Sequence, residues 1–354
     1  MSERILMEGN EAVAEGAIAG GCRFFFGYPI TPQSQIPEYM SWRLPEVGGV
    51  YLQAESELAS INMVMGAAAA GARVMTSSSS PGISLMQEGL SYIIGCELPC
   101  VLVNMVRSGP GLGGIGPAQS DYWLATRGAG HGDGRPLVFA PAGVQEAHDL
   151  TAEAFELSER YRLPVMIQGD ATLATMREQC ALRPVGDAPR AGEFPWTLGS
   201  GKANRERHVV NSLYTVFEEL EQVNDRILAR YLQACEHETR WEEYGADDPD
   251  IMLCAYGIPA RVCETAVERA MERGIAARLL RPISLVPFPE AAIAALAARS
   301  KRCLVVELSQ GQFRDDVRMA IEGRCPVELL SHTGGVLCTP EEVLETLVKI
   351  SKEL

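Results

Sequence analysis

The sequence predicts an α/β protein of two units, a parallel sheet covered by helices on both faces followed by a smaller unit of the same kind. Two observations predict it. Apolar runs of strand length alternate with helical segments through the first half of the chain. That alternation stops after residue 181 and resumes after the turn-rich Ala246-Asp-Asp-Pro-Asp250. No internal repeat or low-complexity tract competes with this reading.

The elements follow in order. Residues 12–19 read as a helix, 24–26 as a short apolar strand and 36–42 as a second helix. Residues 50–53 read as a strand, and the Ala-rich 57–70 as a helix. A strand over 74–77 leads through a serine run into a helix over 83–94. Residues 100–106 read as a strand; 137–140 and 165–168 are two more, separated by a helix over 144–161. Residues 182–204 are rich in Pro, Gly and Arg without a clear period and read as an extended arm. Residues 207–244 are charged and mainly helical. The second unit starts with a strand over 251–256, continues with a helix over 259–273 and a strand over 276–280, and has its last clear strand over 303–307.

With 354 residues, 47% hydrophobic and 22% charged, the chain reads as soluble and globular, with room for more than one core. A formal net charge of −15 argues against nucleic acid or an anionic membrane as partner. Neither a secretory signal nor a membrane span is expected. The ten cysteines include no Cys-x-x-Cys pair, and apolar neighbours mark most of them as core residues. Reduced thiols in a cytoplasmic setting are expected, and an iron–sulfur cluster held by this chain alone is not.

Two stretches at expected strand C-termini stand out, because an α/β sheet puts its working residues there. In Gly27-Tyr28-Pro29-Ile30-Thr31-Pro32, two prolines stiffen a loop that presents a hydroxyl. Such a loop suits a substrate contact. It is equally a strand-to-helix turn with Thr31 as N-cap and Pro32 near N1. The second stretch is Glu55-Ser56-Glu57. A carboxylate at a helix start is favoured by the helix dipole alone. Its functional alternative is to face N1′ of a thiamine aminopyrimidine, where a partly buried carboxylate favours the imino tautomer that takes the C2 proton. Periodicity does not choose between Glu55 and Glu57.

Thr76-Ser77-Ser78-Ser79-Ser80-Pro81-Gly82 gathers hydroxyls and free N–H groups at a helix start, suited to an anion or a polar ring, or to capping alone. Gly111-Leu112-Gly113-Gly114-Ile115-Gly116 matches a dinucleotide fingerprint, but flanking prolines and a missing acid on the next strand point to a flexible active-site loop instead. Arg107 at its entrance is the best-placed cation for a substrate carboxylate, or else a surface ion-pair partner. His131-Gly132-Asp133-Gly134 lacks a following Asn at the distance a thiamine metal motif needs. It reads as a loop with His131 near the site, and no other spacing suggests a metal.

Together these residues resemble the α subunit of 2-oxoacid:ferredoxin oxidoreductases, and among them the 2-oxoisovalerate (3-methyl-2-oxobutanoate) type. The likeness covers nearly the whole chain. It runs from Gly9-Asn10-Glu11-Ala12 and Gly16-Ala17 through Tyr28–Pro32, Glu57, Ser80-Pro81-Gly82, Arg107-Ser108-Gly109-Pro110, His131-Gly132-Asp133 and Pro141-Ala142. In the second unit it takes in Leu280-Arg281-Pro282, Pro287-Phe288-Pro289, Glu307 and Gly311-Gln312. The chain departs from the family at Ser80, where a Gly is usual, at Ala54-Glu55-Ser56 before the kept Glu57, and at Gln35, where Glu is common.

The resemblance implies a thiamine diphosphate pyrimidine-binding domain over 1–180, an arm and helical linker over 181–246, and a transketolase C-terminal-like domain over 247–354. It implies that Glu57 faces the aminopyrimidine, with Tyr28, Pro29 and Ser80 as further cofactor contacts. Thr31 and Arg107 meet the 2-oxoacid. A β subunit supplies the pyrophosphate and Mg2+ site, [4Fe-4S] clusters lie on partner chains, and a γ subunit and a ferredoxin-like δ subunit are further partners. The reaction implied is CoA-dependent oxidative decarboxylation with ferredoxin as electron acceptor. The competing readings are the same chemistry on 2-oxoglutarate or an aryl pyruvate, and a non-catalytic scaffold.

Overall fold

The computed structural model describes residues 4–189, 194–198 and 208–354. Of the expected arm and charged segment, residues 190–193 and 199–207 lie outside the described residues. The first unit runs β1 (Arg4–Glu8), α1 (Gly9–Ala19), β2 (Phe24–Gly27), α2 (Gln35–Glu46), β3 (Val50–Gln53), α3 (Glu57–Ala69), β4 (Val74–Ser78) and α4 (Pro81–Gly95). It continues with β5 (Val101–Val106), the short α5 (Tyr122–Thr126), β6 (Leu137–Phe139), α6 (Val144–Tyr161), β7 (Val165–Asp170), α7 (Ala171–Thr175) and β8 (Arg177–Ala181). Then come α8 (Phe217–Glu238), β9 (Trp241–Gly245), β10 (Ile251–Cys254), α9 (Gly257–Glu272), β11 (Ala277–Pro282), β12 (Ser284–Val286), α10 (Glu290–Ala297), β13 (Arg302–Glu307), α11 (Gln312–Ile321), β14 (Val327–Ser331) and α12 (Pro340–Glu353).

The larger sheet has the order β12-β6-β7-β5-β4-β2-β3, parallel except for β12. Its central strand β5 is buried along its whole length, as a parallel strand covered on both faces requires. The smaller sheet has the order β14-β13-β10-β11-β9, parallel except for β9. One buried cluster runs from Phe25 and Val103 through Phe139 to Met252, Val305 and Phe313, so the two sheets share a core.

The expected strands are present, and the departures have physical reasons. Residues 241–245, expected within a mainly helical segment, form β9, an edge strand whose charged, exposed residues mask its period. It lies before residue 247 yet pairs in the smaller sheet. β12 lies after that residue yet pairs antiparallel with β6 in the larger sheet. Both are short strands recruited from a distance. The ribbon of β1 and β8 joins segments far apart in sequence, which no local pattern reveals. β14, α11 and α12 extend the second unit beyond the last strand expected.

Candidate active site

The strands β5, β4, β2 and β3 are consecutive neighbours. Their C-terminal loops therefore stand side by side: Arg107 after β5, residues 79–81 after β4, 28–32 after β2 and 55–57 after β3.

The two glutamates separate cleanly. Ser56 caps α3, its hydroxyl accepting the Ala59 N–H at 3.2 Å, so Glu57 is the first helical residue. Glu57 is 5% exposed, and the Ser78 hydroxyl approaches its Oε1 at 3.5 Å. Glu55 is exposed. Of the pair, Glu57 alone offers a carboxylate shielded from water. Gly82, at the start of α4, makes room for it: a Cβ there would stand 2.4 Å from Glu57 Oε1 and 2.0 Å from Ser78 Oγ.

The loop over 28–32 is held by more than its prolines. Buried Gln33 donates Nε2 to the Tyr28 carbonyl at 3.0 Å and accepts the Ser77 hydroxyl at 2.6 Å. Asn10, on α1, donates to the Pro32 carbonyl at 2.8 Å. Tyr28, Pro29 and Thr31 are left exposed. The helix after the loop starts at Gln35 with Ser34 before it, so Thr31 and Pro32 are not its N-cap and first residue. Arg107 reaches this loop, its Nη1 donating to the Thr31 carbonyl at 3.1 Å.

Ser80 sits at φ 24°, on the side of backbone space that favours glycine. Its hydroxyl accepts the Arg107 N–H at 3.1 Å and donates to the Arg107 carbonyl at 3.2 Å. The Ser80 hydroxyl is thus bonded to the backbone of Arg107. His131 is not brought to the cluster. It is exposed, its ring edge-on to Tyr92 at 6.0 Å, and its carbonyl accepts the Ser91 hydroxyl at 2.8 Å. Ser91 lies ~15 Å along α4 from Pro81 at 1.5 Å per residue.

The glycine-rich segment is a hydrogen-bonded loop. The Ser108 N–H donates to the Gly116 carbonyl at 3.0 Å and the Gly114 N–H to the Ser108 carbonyl at 2.9 Å. Beside it, between the loop and the second unit, opens a cleft of about 720 Å³ whose lining includes Ser84, Leu112, Asp121 and Gln310. Ser79 Oγ, Ser108 Oγ and Arg107 Nε are buried without a partner. Buried polar atoms are ordinarily satisfied, so orphans grouped at one sheet edge mark a surface shaped for a polar ligand. Among the described residues no group of three His, Cys, Asp or Glu side chains is placed to hold a metal, and all ten cysteines are free thiols. No described helix is long and apolar enough to cross a membrane.

Sequence reasoning did not assign the supporting roles of Gln33, of Asn104, whose Oδ1 accepts the Ser80 N–H, or of Asp121, whose carboxylate accepts from Asn104 Nδ2. Asn104 left a signal: it is the one polar residue inside Val101–Val106. Gln33 and Asp121 sit in loops and left none.

A buried carboxylate after one strand and an arginine after another, with two strands between them, share one end of the sheet. The chain belongs to the pyruvate flavodoxin/ferredoxin oxidoreductase family. Residues 15–228 match its thiamine diphosphate-binding domain and residues 249–343 match pyruvate:ferredoxin oxidoreductase core domain II. Ketoisovalerate oxidoreductase subunit VorB of Methanothermobacter thermautotrophicus is 47% identical, over 98% of this chain and 97% of its own length. 2-Oxoglutarate synthase subunit KorA of the same organism is 34% identical, over 99% of this chain and 100% of its own. The 2-oxoglutarate:ferredoxin oxidoreductase from Magnetococcus marinus, solved with 2-oxoglutarate, coenzyme A and succinyl-CoA bound, superposes with a TM-score of 0.87 at 27% identity. That match covers 98% of this chain, which spans 65% of the solved one. The protein is a subunit of a 2-oxoacid:ferredoxin oxidoreductase with a thiamine diphosphate-binding domain.

The residues fit the aminopyrimidine end of thiamine diphosphate: a shielded carboxylate, a glycine that makes room for it, and unpartnered hydroxyls nearby.

Proposed function

We propose that this chain supplies the cofactor-activating carboxylate and the substrate-binding arginine of an enzyme acting on a branched-chain 2-oxoacid, of which 2-oxoisovalerate is the type. The observation that carries the reading is the burial of Glu57 against Gly82 on the sheet edge where Arg107 meets the loop of Thr31. The overall reaction is 2-oxoacid, CoA and two oxidised ferredoxins giving acyl-CoA, CO2, two reduced ferredoxins and one proton. The greater identity to the ketoisovalerate subunit than to the 2-oxoglutarate subunit of one organism supports the branched-chain substrate.

Bound thiamine diphosphate supplies a carbon nucleophile at C2 and an electron sink for decarboxylation. Glu57 holds and returns a proton at the aminopyrimidine N1′ position, and its burial keeps water from competing for that proton. Arg107 meets the 2-oxoacid carboxylate as a charge-assisted donor, with the Thr31 hydroxyl beside it. Its tie to the Thr31 carbonyl fixes the spacing of the two groups. Tyr28 and Pro29 form the exposed wall of that loop. The pyrophosphate and Mg2+ site belongs to a β subunit, the iron–sulfur clusters to partner chains, and γ and ferredoxin-like δ subunits are the further partners.

The test is coexpression with a β subunit and assay of viologen reduction by a panel of 2-oxoacids with CoA. The isolated chain is expected neither to bind thiamine diphosphate tightly nor to turn over, and the complex to do both, fastest with 2-oxoisovalerate. Preference for 2-oxoglutarate refutes the substrate assignment, and full activity in Glu57→Ala refutes the role of Glu57.

A further inference from the structure

We propose that Ser80 is a positioning residue for Arg107, and that the second unit holds Ser80 in place through Asp121 and Asn104. The starting observation is a residue in an unfavourable place. At φ 24°, glycine is the unstrained choice, yet the chain carries serine. What serine adds is a hydroxyl, and that hydroxyl bonds the backbone of Arg107 at both its N–H and its carbonyl, with the Asp121 carboxylate also in contact with Ser80. β4 and β5 are neighbours, so the turn after β4 is stapled to the residue that follows β5. The direction in which Arg107 leaves the sheet is set by that staple, and the guanidinium goes on to the Thr31 carbonyl.

Ser80 is itself held from behind. Its N–H donates to Asn104 Oδ1 at 3.3 Å, and Asn104 Nδ2 donates to Asp121 Oδ2 at 3.0 Å. Asn104 is fully buried and Asp121 is 9% exposed. Burial raises the Asp121 carboxyl above the usual carboxylate range, while its bonds to Asn104 and Ser80 oppose that rise.

The residues around Asp121 bind the second unit. Gln119 exchanges backbone and side-chain bonds with Leu308 at 2.9 Å each, and its Nε2 donates to the Tyr256 carbonyl at 3.0 Å. Gln312 Nε2 donates to the Ser120 carbonyl at 2.8 Å, and its Oε1 accepts the Trp123 N–H at 2.9 Å. The Tyr122 hydroxyl donates to Asp316 at 2.7 Å. Asp121 alone in this segment turns inward, to Asn104. The second unit thus holds the backbone on either side of Asp121, and from the Asp121 carboxylate hydrogen bonds run through Asn104 to Ser80 and from Ser80 to Arg107.

The proposal rests on the reading of Arg107 as the group that meets the 2-oxoacid carboxylate. Two experiments test it. In the complex with its β subunit, Ser80→Gly removes the hydroxyl while relieving the backbone, so folding is retained. KM for the 2-oxoacid is expected to rise about tenfold, the loss of roughly one charge-assisted hydrogen bond, with kcat and the KM for CoA unchanged. Asp121→Ala is expected to raise the same KM in the same way. If that variant does not assemble, Gln312→Ala, which removes the bonds from the second unit to the Ser120 carbonyl and the Trp123 N–H on either side of Asp121, is read in its place. A wild-type KM in Ser80→Gly overturns the positioning role, and a wild-type KM in the Asp121 or Gln312 variant overturns the link to the second unit. Independently of any 2-oxoacid activity, a crystal structure of Ser80→Gly is expected to show Arg107 displaced from the Thr31 carbonyl. An unmoved Arg107 overturns the proposal even if the functional reading stands.

Discussion

Replacing Gly82 with alanine puts one methyl group into the wall of the candidate site. The new Cβ would lie 2.4 Å from Glu57 Oε1 and 2.0 Å from Ser78 Oγ, and ordinary contact begins at 3.4 Å. The carboxylate oxygen must therefore withdraw by about 1 Å, a misplacement of the size that costs on the order of 10²-fold in rate. The stability change is small by comparison. Overpacking costs about 1–3 kcal/mol, partly offset by the ~0.5–1 kcal/mol that alanine gains over glycine in a helix. The assay is kcat for viologen reduction by the complex, with thermal unfolding measured in parallel. Gly89→Ala is the control. It lies two turns on in the same helix, its Cβ would meet Ile61 Cγ2 at 2.5 Å, and it does not touch Glu57. It is expected to lose stability while keeping kcat within about twofold, since a distant packing change leaves the reacting geometry in place. If Gly82→Ala keeps its kcat, or if Gly89→Ala loses as much, the placement of Glu57 by Gly82 is not what sets the rate.

Arg107→Lys replaces a planar fork with a point charge, and KM for the 2-oxoacid is expected to rise roughly ten- to hundredfold in steady-state assays; an unchanged KM would remove Arg107 from the substrate site. Burial raises the Asp170 carboxyl from 3.8 to about 6, against the opposing pull of the Leu173 and Thr172 N–H groups. The folded state therefore binds that proton more tightly than the unfolded state. The stability it contributes is fully present below about pH 3.8, falls as pH rises to about 6, and is level above. Asp170→Asn keeps an acceptor for both N–H groups. Denaturant titrations across that window are expected to show the slope gone and about 3 kcal/mol of added stability at neutral pH; equal slopes in the two proteins would count against it. Gln119→Ala leaves the Leu308 N–H and the Tyr256 carbonyl without their partner, and urea unfolding is expected to show a loss of about 2–4 kcal/mol. A loss below about 0.5 kcal/mol would mean that solvent replaces these contacts freely.

Much of the fold was legible because parallel strands are local apolar runs separated by helices, and Val101–Val106 or Val165–Asp170 show this without knowledge of their neighbours. The strands that escaped were those whose pairing is remote: β1 with β8, β9 on the edge of β11, and β12 crossing back to β6. The same divide runs through the site. Tyr28–Pro32, Glu57 and Arg107 stood out because each follows an apolar run at a place where α/β sheets put ligands. Gln33 bonds the Tyr28 carbonyl and Ser77, and Asn104 bonds the Ser80 N–H and Asp121, contacts that sequence spacing does not encode.

The sequence by itself determined the class of fold, the strand ends where chemistry is proposed, and a family with a thiamine diphosphate-binding domain. The tertiary structure separated Glu55 from Glu57, leaving the first exposed and burying the second in a space left by a glycine of another helix. It moved His131 away along α4. It turned the Ser80 hydroxyl toward Arg107, because β4 and β5 are neighbours in the sheet. Burial and hydrogen bonding are properties of neighbours in space, and the sheet order that makes residues 57, 80, 82 and 107 neighbours exists only once the chain has folded.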